Sequence, residues 1–567
     1  MTKLNIKSYC IIGCLCVCIA LGACKKYETV PLYTIEDDLT WDRLDSLGTL
    51  AAWFLNDVYT YLPTGFNRVN GDYLDAATDD AMPSRNNTTV QYFTNGRINV
   101  LNNPDAVWGN SYYGIRRANI YLKNVDKVPN TALKTYGKAE ARFLRVMFYF
   151  ELLKRYGGVP LIGDTVFTLN DNLELPRNSF EQCVNYIVSE CDDIKNKLRV
   201  ESAISDGDWG HAPRGAAIAL KARVLLYAAS PLMNGGGVES NATLKALTGY
   251  PSYDASRWQK ALDAANELIA LNYYALYSSF GTMFTTKKNT EVILAKQRAN
   301  GYDVETTNAP MGYQSTGATS YGYTSPTQEL VDAFPMLNGL GINETGSGYN
   351  ASDPYANRDP RLGFTVFYNN YLWLNRNVQT FEGGVDKPGG NAVQTKTGYY
   401  LRKAMYDFSK NQTYTNQSHN FIIFRYAEIL LNKAEALNEL NDVEGAVTVI
   451  GLLRKRAGIT AGTDSRYGIK AGISQADMRT LIQNERRIEL AFEEHRFWDV
   501  RRWKIANTVL NGTVHGMKIT KNPVGGALTY QRVDAGTLSF VPQKMYHMPI
   551  PYSEISKNTS LLQNEGW

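Results

Sequence analysis

Asn484-Glu485-Arg486-Arg487-Ile488-Glu489-Leu490-Ala491-Phe492-Glu493-Glu494-His495-Arg496-Phe497-Trp498-Asp499-Val500-Arg501-Arg502-Trp503 is the densest cluster of charge in the chain. Glu485 and Glu489 stand one helical turn apart on one face, so their carboxylates can be paired, and His495 is the residue a catalytic reading would take as base. The arginines argue against that reading. Arg486, Arg487, Arg496, Arg501 and Arg502 supply enough guanidinium to neutralise the neighbouring acids through bidentate pairs. Carboxylates so paired stay ionised and are poor general acids. The block is therefore read as a structural ion-pair network on a helix, with no catalytic residue.

Working outward, helical periodicity recurs. Ser474-Gln475-Ala476-Asp477 opens the helix that carries the block, with Met478, Leu481, Ile482, Ile488 and Phe492 expected on its inner face. Tyr426, Ile429, Leu430, Lys433, Ala434 and Leu437 precede the turn and cap Asn441-Asp442, after which Val443, Ala446, Val447 and Ile450 continue the pattern. That spacing predicts a helical hairpin of tetratricopeptide length, with Ala434, Ala436 and Ala446 at close-approach positions. Earlier, Phe143, Val146, Met147, Phe150 and Leu153 mark a helix from Ala139 to Tyr156 that Gly157-Gly158 and Pro160 end. Pro213 opens the next helix, with the stripe Ala217, Leu220, Val224, Leu225 and Ala228, and Pro231 lies past its end. A further stripe at Trp258, Ala261, Leu262, Ala265, Leu268 and Ile269 can pair with it across a Gly-rich insertion. The expected fold is mostly α: helix pairs of tetratricopeptide type without a regular period, joined by decorated loops.

Residues 296–420 lack sustained periodicity and carry many glycines, among them the pairs Gly383-Gly384 and Gly389-Gly390. So long a nonhelical insertion is uncommon and usually functional, and its aromatics argue against disorder. The chain has 37 tyrosines and nine tryptophans, a composition suited to surfaces that stack on and hydrogen-bond to polar ligands, although most of these rings should serve packing. Candidate ligand-binding residues in or beside the insertion are Tyr302, Tyr313, Tyr321, Tyr323 and Trp373. An early loop adds Asp79 and Arg85, in a run that also holds Asp75, Asp80, Asn86, Tyr92 and Phe93. Aromatic faces can cover the C–H face of a pyranose while carboxylate, amide and guanidinium groups bond its hydroxyls.

The N-terminus supplies an address. Lys3 and Lys7 precede a charge-free run from Ser8 that closes on Leu21-Gly22-Ala23-Cys24, and Lys25-Lys26 follow. That order is the signature of a secretory leader, residues 1–23, with Cys24 as acceptor of a lipid anchor. Five of the seven cysteines fall within the leader and its cleavage point, leaving Cys183 and Cys191 in the body. Eight residues of helical rise part these two by roughly 12 Å, too far for a disulfide, so both are read as buried small hydrophobes.

Other chemistries lack their signatures. The formal charge of +4 drops to about +2 once Lys3 and Lys7 leave with the leader, which argues against a nucleic-acid partner. His211, His419, His495, His515 and His547 are scattered without metal-ligand spacing, and neither a nucleophile elbow nor a phosphate-binding Gly-rich fingerprint is present. Asp206-Gly207-Asp208 and Asp353 offer calcium-type ligands, but such Asp-Gly pairs are mostly turns. No metal site, cofactor or enzymatic activity is expected.

Together these blocks carry a resemblance. The Glu485–Trp503 block resembles the signature of the SusD/RagB outer-membrane lipoproteins of Bacteroidota. Ala139-Glu140-Ala141-Arg142-Phe143-Leu144-Arg145 leading to Arg155-Tyr156-Gly157-Gly158-Val159-Pro160-Leu161 is similar to that family's early helix. Leu220-Lys221-Ala222-Arg223-Val224-Leu225-Leu226-Tyr227, Asp359-Pro360-Arg361, Arg425-Tyr426-Ala427-Glu428-Ile429-Leu430-Leu431 and the tail from Pro549-Ile550-Pro551 to Gln563-Asn564-Glu565-Gly566-Trp567 also fit, in order. These motifs are helix-core and ion-pair residues, so they identify a fold and carry no ligand chemistry. The resemblance implies a SusD-like body over residues 24–567, with helical segments about 40–295 and 421–510, the loop-rich ligand region about 296–420 and a tail at 511–567. It also implies a lid seated on a SusC-like TonB-dependent transporter, lipid-anchored at the outer membrane and facing the cell surface. The leading expectation is noncatalytic capture of an oligosaccharide. Capture of peptides by the same architecture, as in the RagB branch, is the alternative, and a surface glycoside hydrolase with two opposed carboxylates is a third.

Overall fold

The computed structural model describes residues 39–315, 318–390 and 393–567. The expected leader and Cys24 lie outside the described residues. Among those described, no helix is long and apolar enough to cross a membrane.

The first half is a run of helices. They are α1 (Thr49–Thr60), α2 (Trp108–Asn124), α3 (Lys138–Tyr156), α4 (Phe180–Ile194), α5 (Arg214–Ala229) and α6 (Ser256–Ile269). A short strand, β1 (Ala81–Pro83), sits between α1 and α2. Each helix packs on the next, and α6 then packs on α7 (Tyr426–Glu439), which lies against both α8 (Val443–Ala457) and α9 (Gln475–Glu489). The helical array thus continues across the long insertion as though the insertion were absent. This is the helix-pair architecture expected, and its irregular period comes from that interruption.

Local chemistry sets the helix ends. Ser179 caps α4 by accepting from the Gln182 N–H, and the Gln182 side chain answers to the Ser179 N–H. Asp442 caps α8, Ser474 caps α9, and Gly157 at φ 77° ends α3 with a backbone that a side chain would strain. Helix α3 differs from a one-faced amphipathic helix. It is buried nearly all round, including Glu140, Arg145, Glu151 and Arg155. Helix α5 is likewise enclosed along its length, as expected of the centre of a large helical body. Cys183 and Cys191 are buried free thiols. Helix α9 stops at Glu489, so Phe492 is not on its inner face. Phe492 turns away at φ 59° and packs edge-on against Tyr73, while its N–H donates to Asp75 Oδ1 at 3.0 Å.

The insertion is closed at its stem by β2 (Val292–Lys296) pairing antiparallel with β4 (Phe421–Arg425). Within it, β3 (Thr324–Pro326) pairs with β1 in the register Ala81↔Pro326, Met82↔Ser325 and Pro83↔Thr324. That pairing fastens the insertion to the early loop. Helix α10 (Arg496–Arg502) follows α9, and residues 511–567, expected only as a tail, begin with a long hairpin of β5 (Gly512–Lys521) and β6 (Leu528–Leu538). Its turn holds Gly525 and Gly526, both at positive φ.

The charged block is the hub of the fold. Arg361, fully buried, lies 2.7 Å from Asp359, 2.7 Å from Glu485 and 2.9 Å from Glu489. Arg425 reaches Glu291 at 2.7 Å, Glu489 at 2.7 Å and Glu493 at 2.6 Å, and Arg456 pairs with both Glu291 and Glu489. Arg486 and Arg502 share Asp499, and Arg502 also holds Glu435. The network therefore joins α7, α8, α9 and α10 to the stem and interior of the insertion. Burial alone would raise these carboxyls, but Arg361 and Arg454 hold Glu485 below the usual range, and Arg456, Arg425 and Arg361 hold Glu489 well below it. Burial, followed by the charge of Arg486, pushes His495 well below the ordinary histidine range, which leaves it neutral inside the network.

Candidate ligand-binding surface

Strand β1 delivers the chain into the loop Ser84-Arg85-Asn86-Asn87, and β3 is entered through Tyr321-Gly322-Tyr323. Register brings the two segments side by side. The Ser84 N–H donates to the Tyr323 carbonyl at 2.7 Å, and the Ser84 hydroxyl donates to the Gly322 carbonyl at 2.5 Å. On the other flank, the Tyr321 and Tyr323 N–H groups donate to the carbonyls of Thr306 and Thr307, at 2.7 and 3.0 Å, on the short helix Asp303–Asn308. The Tyr321–Tyr323 segment is thus held through its backbone on two sides.

Their rings stack on each other, with centroids 5.3 Å apart and planes 30° apart. Tyr321 is half exposed, and Tyr323 carries the Arg85 guanidinium 3.7 Å from its ring centre. One Arg85 terminal nitrogen donates to the Asn70 carbonyl at 2.8 Å and to Asp72 Oδ2 at 2.9 Å. Gly71 is required at this point. A Cβ there would lie 2.9 Å from that nitrogen and 3.2 Å from the Tyr323 ring, and its φ is +92°. Asp72 is buried, and desolvation pushes its carboxyl up to about 6 although the Arg85 charge opposes this. In the loops that hold Arg85 and its carbonyl partner, Asn70, Asn86 and Asn87 are exposed, with Lys396 Nζ donating to Asn86 Oδ1 at 2.9 Å.

Of the residues nominated from sequence, the fold brings together Arg85, Tyr321 and Tyr323. Tyr302, partly exposed, is the N-cap residue of the Asp303–Asn308 helix and lies 6.2 Å from Tyr414. Three others are corrected. Trp373 is completely buried, edge-on to Phe367 and Phe408, with its indole N–H donating to the Tyr414 hydroxyl at 3.0 Å. Tyr313 is buried beneath Arg376, whose guanidinium lies 3.5 Å from the ring centre. Asp79 is buried with both oxygens taken by Arg496, at 2.9 and 2.7 Å. These side chains are core, because the insertion has an aromatic core of its own. Sequence reasoning missed Asn70, Asp72 and Lys396, whose relevance depends on the β1–β3 pairing. Among the described residues, no group of three or more His, Cys, Asp or Glu side chains could hold a metal ion.

Comparison with known proteins agrees with this architecture. Residues 290–567 match the SusD family, and residues 49–226 match a SusD-like family described as "Starch-binding associating with outer membrane". SusD-like protein P25 of Formosa agariphila is 23% identical over 530 residues, covering 87% of this chain and 86% of that protein. A crystal structure of a SusD-like protein from Bacteroides fragilis superposes with a TM-score of 0.75 at 28% identity, over 95% of this chain and 100% of that one. A structure described as a laminarin-binding SusD-like protein superposes with a TM-score of 0.63 at 22% identity, over 92% of this chain and 99% of that one. With its helical array, its stitched insertion and its buried arginine–glutamate hub, the chain belongs to the SusD family.

Proposed function

We propose that this protein is a noncatalytic carbohydrate-binding protein and that the Tyr321–Tyr323–Arg85 platform is its glycan site. One observation carries the reading. Two stacked tyrosines, one half exposed, stand at the surface with a guanidinium over one ring and exposed asparagines in the adjoining loops, their segment held by backbone hydrogen bonds on both flanks. The rings supply an apolar face for a pyranose, and the amides and cations supply partners for its hydroxyls. The descriptions of a starch-binding family and of a laminarin-binding neighbour support a glycan as ligand. A catalytic role gains nothing from the charged block, whose carboxylates are buried and committed to arginines.

In this reading Cys24 is acylated, the protein is tethered at the outer membrane with its body facing outward, and captured glycan passes to a SusC-like TonB-dependent transporter. Tethering raises the effective ligand concentration at a transporter mouth, so modest affinity per site suffices. Titration with laminarin and starch oligosaccharides, alongside peptides, tests the ligand class. Co-purification of a TonB-dependent barrel with the native protein tests the partner.

A further inference from the structure

A concavity of about 500 Å³ beside β2 shares no lining residue with the tyrosine platform and falls in the size range of small-molecule sites. Trp209, His211, Tyr273, Tyr274, Glu201 and Lys288 are among the residues that line it. Its polar groups are held from behind. Glu140, buried on α3, lies 2.6 Å from His211 Nδ1 and accepts from the Tyr59 hydroxyl at 2.8 Å and from Arg199 at 3.0 Å. The imidazole is thereby fixed, and its Nε2 has no partner among the described residues. One Glu201 oxygen accepts from the Gly215 N–H at 2.8 Å and the Tyr274 hydroxyl at 3.0 Å, which leaves the other unpartnered among the described residues. Tyr273 is half exposed, and among the described residues neither its hydroxyl nor the Trp209 indole N–H has a hydrogen-bond partner.

We propose that this concavity is a second carbohydrate site, taking a neutral monosaccharide or the end of a neutral chain. A phenol ring and one face of an indole, whose other face carries Lys287 Nζ 5.3 Å from the ring centre, are offered to the sugar, and around them stand donors (Trp209 Nε1, the Tyr273 hydroxyl) and a fixed acceptor (the free Glu201 oxygen). That alternation suits a polyhydroxylated ring. An anion is disfavoured, because Glu201 faces the space and Lys288 is already paired with Asp206. The site does not depend on the platform and would bind when the platform is removed.

The test is fluorine NMR of the full chain labelled with 5-fluorotryptophan, the Trp209 resonance being assigned by loss in Trp209→Phe. Glucose, galactose, mannose, xylose and N-acetylglucosamine are titrated separately, with glucuronate and a peptide digest as controls. At least one neutral sugar is expected to shift the Trp209 resonance saturably, both in the wild type and in a Tyr321→Ala/Tyr323→Ala variant. Glu201→Gln, which reverses the polarity of the free oxygen and keeps the other acceptor, should weaken that response about tenfold, as should His211→Ala. No saturable shift with any neutral sugar overturns the proposal, as does a shift indifferent to both substitutions, a shift lost with the platform, or a response to glucuronate or peptide alone.

Discussion

The guanidinium of Arg85 lies 3.7 Å from the centre of the Tyr323 ring although the two residues are 238 positions apart, because β1 and β3 pair antiparallel immediately beside them. Arg85 also holds Asp72, so it braces the platform from below as well as contributing to its face. Tyr321→Ala should weaken glycan binding by about 1 to 3 kcal/mol, the loss typical of a stacking aromatic, with an unchanged melting temperature. Calorimetry and a thermal melt on the same sample check both halves.

Trp373→Ala should behave in the opposite way. The indole is fully enclosed and its N–H is bonded, so truncation leaves a cavity and costs about 3 to 5 kcal/mol of stability. Denaturant unfolding should register that loss, while the protein that remains folded should keep its glycan affinity. Loss of affinity without loss of stability would return Trp373 to the site.

Glu489→Gln should be among the most damaging single changes. Glu489 receives Arg361, Arg425 and Arg456, and removing its charge leaves three buried guanidinium groups short of a counter-ion. Breaking a buried pair of this kind costs about 3 to 5 kcal/mol. Limited proteolysis should show early cleavage in residues 296–420, because Arg361 and Arg425 link that insertion to the helices.

Asp75 gives a pH dependence of definite sign. Burial, followed by the charges of Asp80 and Glu494, pushes its carboxyl from 3.8 up to about 8 in the folded chain. The folded state therefore holds the proton more tightly than the unfolded state. The stability this group contributes is fully present below about pH 4 and is lost as the pH rises toward 8. Asp75→Asn keeps an oxygen to accept from the Phe492 N–H and cannot ionise. The variant should match the wild type near pH 4 and exceed its stability by about 5 kcal/mol at pH 8, read from melting curves across that window.

What was legible in the sequence was local. The caps at Asp442 and Ser474, the stop at Gly157 and the helical hairpin that follows Arg425 all rest on interactions within a few residues. The block at 484–503 announced a charge network through its composition, but its own arginines take only Asp499 within it, while Glu485, Glu489 and Glu493 pair with arginines from elsewhere. Its partners Arg361, Arg425, Arg454, Arg456 and Glu435 could not be assigned, because only the folded chain brings them in. The candidate site failed in a similar way. Three-residue strands such as β1 and β3 have too little pattern to reveal a pairing, so nothing told Tyr321 at the surface from Trp373 in the core. The β5–β6 hairpin was readable in principle from Gly525-Gly526 and the alternation of Gly516, Lys518, Thr520 with Met517 and Ile519, but the polar face of β6 masks it.

Cys24→Ala addresses the tether. In whole cells this variant should lose membrane attachment and leave glycan binding by the body intact, as fractionation and a binding assay on each fraction would report. Loss of both would mean that the anchor shapes the body itself.

The most direct test of the account is a calorimetric titration of laminarin and starch oligosaccharides into the wild type and into Tyr321→Ala/Tyr323→Ala, with reducing-sugar release followed in parallel. The account predicts saturable binding of at least one glycan to the wild type, no release of sugar, and affinity reduced about tenfold or more in a double variant that melts like the wild type. Binding that is indifferent to the loss of both tyrosines, binding of peptides alone, or release of reducing sugar would contradict it.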